Sequence, residues 1–264
     1  MAPSSQLQAP PPWPIGAPAA PEWLVAGSIW RLLGPINLYS RQRGEGLASQ
    51  ASGGRHLEVL EAAQPLDSLQ ERRQERLRIR LLDDGYPGWI EPNDLLGQAE
   101  AAPQPRPRPW NRPAIHRRLD AVVAFGLKAL GQPNRYLWGG SLGPDFDCSG
   151  LVQTAYASQG IWLPRDAYLQ ERFCQPVAVQ GGITHLLEPG DLIFFGSPQR
   201  CTHVGLHLHN GSYLHSSGTT TGHNGLAIDN LSPTNGSAVA SHYRQSLRGA
   251  GRVMHGHDGS PLPA

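Results

Sequence analysis

Cys148 is the residue whose type and position could make this chain a catalyst. It follows a turn rich in Gly, Pro and Asp and precedes an apolar segment that predicts a helix ending near Gly160. Asp147 is a typical N-cap residue, which puts Cys148 in the first helical turn, where free N–H groups and the helix dipole favour a thiolate. A lone cysteine can equally be a small buried hydrophobe. The segment alone therefore leaves both interpretations open.

A predicted β-hairpin downstream carries two histidines that could serve this thiol. Residues on both sides of His203 alternate strictly between apolar and polar. A three-residue loop at residues 209–211, with a left-handed glycine, pairs Leu206 with Leu214 and keeps each face of the hairpin consistent. In that register His215 lies beside His203 on the same face.

These three residues predict nucleophilic catalysis. Cys148 would attack a carbonyl carbon, His203 would accept the thiol proton and return it to the leaving amine, and His215 would fix the His203 tautomer. The backbone N–H of Cys148 would stabilise the oxyanion. A shared zinc ion is not expected, because His203 and His207 are about 13 Å apart along one strand. The sequence predicts neither a metal nor another cofactor.

The composition limits the possible partners and compartments. The chain has 264 residues, a net charge of +1 and 39% hydrophobic residues, so a real core can form and neither nucleic acid nor a membrane is the expected partner. Its three cysteines suit a reducing compartment or a free catalytic thiol. The first 26 residues have no basic n-region and many prolines, so we expect no signal peptide and a cytoplasmic protein.

The pattern along the chain predicts an α+β protein with two domains. A small SH3-like β-barrel of short strands comes first, followed by helices and then a mainly antiparallel sheet. The segment 67–76 could be a charged helix or a solvated loop. The expected divisions are a disordered Pro-rich head at 1–26, the barrel at 27–100, a Pro-rich linker at 101–113, the second domain at 114–254 and a tail at 255–264.

Short motifs of the second half come in the order found in a known family. They are Tyr136-x-Trp138-Gly139-Gly140, Asp147-Cys148-Ser149-Gly150, Leu163-Pro164-Arg165, Gly190-Asp191-Leu192-x-Phe194-Phe195, His203-Val204-Gly205 and His215-Ser216-Ser217-Gly218. This half resembles the NlpC-type cell-wall cysteine peptidases, which are papain-like enzymes with a Cys–His–His site. The first half, with Tyr86-Pro87-Gly88-Trp89, resembles the bacterial SH3-like domain of the γ-D-glutamyl-L-diamino acid endopeptidases.

The resemblance implies a substrate and residues that bind it. The substrate would be a muropeptide with a free N-terminal L-Ala, cut between D-Glu and meso-diaminopimelate. Because no export signal is expected, we predict a role in recycling these peptides, and we expect a monomer. Asp147 and Tyr86 would engage the α-amine, and Tyr136 would line the oxyanion site. Four further residues are candidates beside them. Asp84 would add to amine binding and Ser149 to substrate binding. Arg165 and Asp166 are expected to form a structural pair near the groove, with contact to a substrate carboxylate as the alternative.

Two other functions fit the same residues. A wall-binding adaptor with an inactive peptidase half would need neither Cys148 nor its histidines, and the presence of all three argues against it. An amidase or acyltransferase on the same fold would use Cys148 and His203 as well, but the barrel suits the recognition of a peptide end.

Overall fold

The computed structural model describes residues 13–62 and 75–262, which form two antiparallel sheets and five α-helices. The predicted α+β class is confirmed. Among the described residues no helix is long and apolar enough to cross a membrane. The segment 67–76 lies outside the described residues except for its last two positions.

The first sheet has seven strands around a core that contains Trp30. Its order is β3-β2-β6-β5-β4-β1-β7. The strands are β1 (Ile29–Leu32), β2 (Ile36–Tyr39), β3 (Leu47–Ala51), β4 (His56–Glu61), β5 (Leu77–Leu81), β6 (Pro87–Ile90) and β7 (Ala99–Ala101). In β5 every second residue is buried, as its strict alternation predicts.

The second sheet has six strands in the order β12-β11-β10-β9-β13-β8. The strands are β8 (Gln175–Val177), β9 (Leu192–Ser197), β10 (Arg200–His209), β11 (Ser212–Ser217), β12 (Gly225–Asn230) and β13 (Leu247–Arg252). The helices are α1 (Arg112–His116), α2 (Leu119–Leu130), α3 (Cys148–Ala157), α4 (Ala167–Phe173) and α5 (Ala238–Gln245). α3 packs on β10 and α2, so the predicted catalytic helix lies against the predicted hairpin.

The apolar pattern of residues 114–130 predicts one helix, but the structure has two, α1 and α2. Asn111 caps the first, because its side chain accepts a hydrogen bond from the Ala114 N–H, and a proline in the first turn favours a start there. The second begins only at Leu119. An apolar pattern that runs through both pieces cannot reveal the turn at residues 117–118 that separates them.

The hairpin of β10 and β11 has the predicted register but a different turn. Leu206 pairs with Leu214, as expected. The loop consists of two residues, Asn210 and Gly211, which have φ values of 49° and 74°. The prediction placed one extra residue in the loop. In the structure that residue is Leu208, which forms a β-bulge in β10, so the register is the same.

Residues 13–26 are not disordered, contrary to the prediction. Trp13 is buried and stacks between Trp23 and Trp30, with ring centroids 6.2 and 5.8 Å apart. Pro18 forms a bridge with Glu100 at the edge of the sheet. The prolines indicate disorder, but three tryptophans provide enough apolar surface to hold this segment on the barrel.

The predicted linker and tail also pack on the folded domains. Trp110 is buried and donates a hydrogen bond from Nε1 to the Gly160 carbonyl at 2.8 Å. His255 stacks on Phe173 with centroids 4.5 Å apart, and the His257 N–H donates to the Trp162 carbonyl. These aromatic contacts fix segments whose composition alone resembles a spacer.

Polar contacts join the barrel to the second domain. The Ser141 hydroxyl donates to the Gln50 carbonyl at 2.8 Å, and the Gln50 side chain accepts from the Ser141 N–H at 3.2 Å. At a second point, Gln153 of α3 donates to Asp84 of the barrel at 2.7 Å. The two domains therefore hold a groove between them in a defined geometry.

Candidate active site

Cys148 is the first residue of α3, and Asp147 caps that helix as predicted. The Asp147 carboxylate accepts from the Gly150 N–H at 2.7 Å. Cys148 itself is only 7% exposed. Burial, with the negative charge of Asp147 next to it, raises the pKa of the Cys148 thiol to about 12. This burial opposes the thiolate that the start of the helix favours, and we therefore expect the thiol form at rest.

His203 and His215 meet on neighbouring strands, as the register predicts. His203 Nε2 lies 2.8 Å from His215 Nδ1. Both rings are buried, which lowers the pKa of each below that of an exposed histidine. The His203 ring also stacks on Tyr243 of α5, with centroids 4.3 Å apart. Sequence analysis missed Tyr243, because the short α5 has little apolar patterning to predict it.

Two more residues lie behind His215. Asp229 Oδ2 is 3.0 Å from His215 Nε2 and 3.0 Å from His223 Nε2. Asp229 is on β12, whose Ala227 pairs with His215. The alternation of β12 is the only signal that could have suggested Asp229, since it places that residue on the histidine face.

Asp147 and Arg165 form a buried ion pair. The guanidinium contacts both carboxylate oxygens, at 3.0 and 2.7 Å, and also donates to Ser149 and to Ser49 of the barrel at 2.9 Å each. The predicted pairing of Arg165 with Asp166 is therefore wrong. Burial favours the planar two-point contact with Asp147 over the neighbouring residue.

The groove between the domains has a cavity volume of about 720 Å³. Of the predicted site residues, Tyr86, Tyr136, Asp147, Cys148, Ser149, Arg165 and Asp166 line it. Tyr136 is half-buried, and burial raises the pKa of its hydroxyl, as it does for Tyr86. Both phenols therefore stay protonated and can donate hydrogen bonds into the groove.

Asp166 and Arg200 are two charged residues of the groove without an ion-pair partner among the described residues. Within the described part of the chain, neither side chain makes an ion pair within 4.0 Å. Arg200, which sequence analysis missed, has its guanidinium over the Tyr168 ring at 4.9 Å. Burial, together with the charge of Asp147, raises the pKa of Asp166, while Arg165 and Arg200 lower it.

Asp84 does not line the groove, contrary to the prediction. It is fully buried, 2.8 Å from the Arg55 guanidinium, and it accepts hydrogen bonds from the Tyr86 N–H and from Gln153. These partners satisfy the carboxylate on the far side of the Tyr86 turn. Asp84 therefore joins the domains instead of binding an amine.

One group of side chains in the described residues has the spacing of a metal site. The ligand atoms of His215, His223 and Asp229 all lie within 4.8 Å of one another. Both imidazoles already direct an N–H at the same carboxylate oxygen, which satisfies all three groups without an ion. A divalent cation could bind there only if the Nε2 atoms of both histidines lost their hydrogens.

A buried cysteine at a helix start with two histidines on the adjoining sheet is the arrangement of a cysteine hydrolase of the papain-like class. Residues 132–248 match the NlpC/P60 family, and residues 38–95 match the bacterial dipeptidyl-peptidase Sh3 domain. The chain therefore carries an NlpC/P60 domain behind a bacterial SH3 domain. The resemblance predicted from the motifs is confirmed.

Curated relatives share part of the chain. It is 35% identical over 139 residues to a γ-D-glutamyl-L-lysine dipeptidyl-peptidase of Bacillus cereus, covering 52% of this chain and 37% of the relative. It is 40% identical over 102 residues to the bifunctional muramidase/DL-endopeptidase CwlT of Bacillus subtilis, covering 37% of this chain and 29% of the relative. The chain thus spans about a third of the length of these relatives.

Solved structures also align with most of the chain. One of them is an NlpC/P60 family protein from Bacillus cereus, with 25% identity and a TM-score of 0.43. The alignment covers 86% of this chain and 64% of that one.

Proposed function

We propose that this chain is a cysteine peptidase that hydrolyses the γ-D-glutamyl–meso-diaminopimelate bond of muropeptides with a free N-terminal L-Ala. The observation that carries the proposal is the groove itself: Cys148 opens into it, and barrel residues, Tyr86 among them, form its opposite wall. A wall so close to the nucleophile leaves room for a short peptide end on that side. The relative named γ-D-glutamyl-L-lysine dipeptidyl-peptidase supports the same bond class.

The chemistry follows from the neutral resting state of the thiol and the base. His203 takes the Cys148 proton as the sulfur attacks the γ-carbonyl carbon of D-Glu, and backbone N–H groups at the start of α3 stabilise the oxyanion. Collapse breaks the C–N bond, and the imidazolium gives its proton to the departing amine. Water, deprotonated by His203, then hydrolyses the thioester and restores the thiol.

Asp166 and Tyr86 are the residues that we propose bind the substrate ammonium group. Asp166 lines the groove without an ion-pair partner among the described residues, and Tyr86 is its neighbour on the barrel wall. Asp147, which the resemblance implies for this role, is already held by Arg165 and by the Gly139 and Gly150 N–H groups. Its share in amine binding is therefore secondary to that of Asp166.

Arg200 complements the opposite charge of the substrate. The scissile bond leaves D-Glu with a free α-carboxylate, and the diamino acid carries carboxylates too. Arg200 is exposed in the groove and oriented by the Tyr168 ring. A carboxylate on the peptide would form a charge-assisted hydrogen bond with it.

We also propose a role in recycling peptides within the cytoplasm. A substrate with a free L-Ala amine is a fragment already released from the glycan, as recycling requires. The three free cysteines suit that compartment, which is reducing. Fractionation of cells expressing the full chain tests the location: activity found with the cell wall would contradict it.

The function is tested by incubating the purified chain with L-Ala-γ-D-Glu-meso-diaminopimelate, its N-acetylated form and the L-Lys analogue, read by mass spectrometry. We expect release of the diamino acid from the free-amine peptide only, and none with Cys148→Ala. Cleavage of the acetylated peptide would contradict amine recognition. Preference for the L-Lys analogue would mean that the third residue of the substrate is L-Lys and not meso-diaminopimelate. Tight binding without any cleavage would assign the chain to the adaptor function.

A further inference from the structure

We propose that Asp229 is a positioning residue of the catalytic site, whose carboxylate selects the tautomers of His215 and His203. In taking Cys148 as the nucleophile, this inference rests on the function proposed above. Asp229 is buried and its carboxylate contacts His215 and His223, so we place its action behind the two histidines and not on the substrate.

The geometry is a continuous chain of hydrogen bonds across three neighbouring strands. His203 on β10 lies 2.8 Å from His215 on β11, and His215 lies 3.0 Å from Asp229 on β12. All three residues are at most 8% exposed. Water therefore competes little for any of these contacts, and each proton in the chain has one partner.

The Asp229 carboxylate determines which atom donates and which accepts in each hydrogen bond of this series. Burial alone would raise the pKa of Asp229, but hydrogen bonds from His215 and His223 lower it below its usual range. An ionised carboxylate can only accept hydrogen bonds. His215 must therefore carry its hydrogen on Nε2, the atom that faces Asp229.

The remaining protons follow from neutrality. Burial lowers the pKa of His215 and of His203, so each neutral ring carries a single hydrogen. With Nε2 of His215 protonated, its Nδ1 accepts, and the facing Nε2 of His203 must donate. Nδ1 of His203 is then left without a hydrogen, free to accept the Cys148 proton.

The second donor supports the carboxylate. His223 is partly exposed and directs Nε2 at the same oxygen, Oδ2, that His215 uses. It keeps Asp229 ionised and fixed in orientation without entering the path to Cys148. The group with metal-site spacing is thus accounted for by hydrogen bonds.

The first measurement needs no substrate. In the Cys148→Ala chain labelled with ¹⁵N-histidine, ring-nitrogen NMR shifts should show hydrogens on Nε2 of His203 and His215. Adding Asp229→Ala should convert at least one of these rings to the Nδ1–H tautomer. Substitutions of each histidine assign the signals. Unchanged tautomers in the folded double variant would overturn the proposal, whatever the substrate is.

The second measurement is kinetic, with the free-amine peptide. Asp229→Ala should lower kcat by about 10²–10⁴-fold with little change in KM, because the base would hold its proton on the wrong nitrogen. Asp229→Asn keeps an oxygen that can accept both N–H groups, so it should lose only about tenfold. The control is Ile228→Ala, on the exposed face of the same strand, which should keep parental rates.

Circular dichroism and thermal melting distinguish a folding defect from a tautomer effect. If Asp229→Ala does not fold, Asp229→Leu, which fills a similar volume but accepts no hydrogen bond, supplies both readouts. A proportional fall in kcat for Asp229→Asn and Ile228→Ala, or a rise confined to KM, would contradict the positioning role. If no peptide is cleaved even by the parent chain, the NMR result still decides the inference.

Discussion

At the scale of single residues, Cys148 and His203 are both buried, and burial opposes a charge on either side chain. Burial raises the pKa of the thiol to about 12 and lowers that of the imidazole well below 6.5. Proton transfer therefore belongs to the attack on substrate and does not precede it.

This neutral pair predicts the acid side of the pH profile. Because the His203 pKa is lowered, the base form persists as pH falls below 6.5, and kcat/KM should stay level there before it declines. The free chain at neutral pH should also show no ultraviolet thiolate absorbance relative to Cys148→Ala. A kcat/KM that already halves at pH 6.5, or a thiolate band at neutral pH, would contradict the neutral pair.

The unpaired carboxylate of the groove gives a second residue-scale prediction. Asp166→Asn should lower kcat/KM for the free-amine peptide by about 10–100-fold, the loss of one charge-assisted hydrogen bond. Measured in the Cys148→Ala background, its affinity for the acetylated peptide should not fall in proportion. Asp120→Asn, the same change on the exposed face of α2, is the matched control. Equal losses on both peptides would remove Asp166 from amine recognition.

The sequence could predict which residues meet at this site but not their charge states. Residue type and strand alternation indicate Cys148, His203 and His215. The pKa of the thiol depends on how completely the sheet covers it, which no local pattern reports. Arg165 likewise bypasses adjacent Asp166 for Asp147, 18 residues away, because the folded chain brings both oxygens to its guanidinium.

At the scale of elements, the packing of the β10–β11 hairpin requires a glycine at position 205. A Cβ on Gly205 would lie 2.7 Å from the Tyr213 ring, whose centroid is 5.1 Å from that of His215. The predicted register was right because the faces must stay consistent, while the bulge at Leu208 that produces it left no mark in the sequence.

Gly205→Ala should therefore push Tyr213 toward the histidines. We expect a loss of about 1–3 kcal/mol in the free energy of unfolding, typical of overpacking, with a lower kcat. Chemical denaturation and steady-state kinetics measure the two effects. Gly249→Ala on β13 is the control, because a Cβ there meets nothing within 4 Å. Equal changes in the free energy of unfolding and in kcat for both variants would mean that a Cβ at position 205 does not displace Tyr213.

At the scale of the whole molecule, a buried charge cluster of the barrel lies against the second domain. Arg55 is 4% exposed and pairs with Asp83 and Asp84, while Gln153 reaches Asp84 from α3. Two folded domains could be predicted from the sequence. Their seam could not, because its contacts join residues 69 positions apart.

Asp84→Ala should weaken that seam. Removing one partner of a buried charge typically costs about 3–5 kcal/mol, which should lower Tm, and a looser barrel wall should reduce the preference for free-amine peptides. Glu58→Ala breaks a pair with Arg80 inside the barrel and serves as the control, with a loss of about 1 kcal/mol or less. Unchanged Tm for Asp84→Ala would show that Asp83 alone compensates Arg55.

The segment after β13 returns to the first domain. Beyond its stacking on Phe173, it approaches the barrel turn so closely that a Cβ on Gly259 would lie 2.0 Å from the Leu82 carbonyl oxygen. The polypeptide thus forms a closed circuit, leaving the barrel through residues 102–111 and coming back to it at residues 257–260. Proteolytic cleavage within residues 102–111 should therefore yield two fragments that stay associated and elute together on gel filtration.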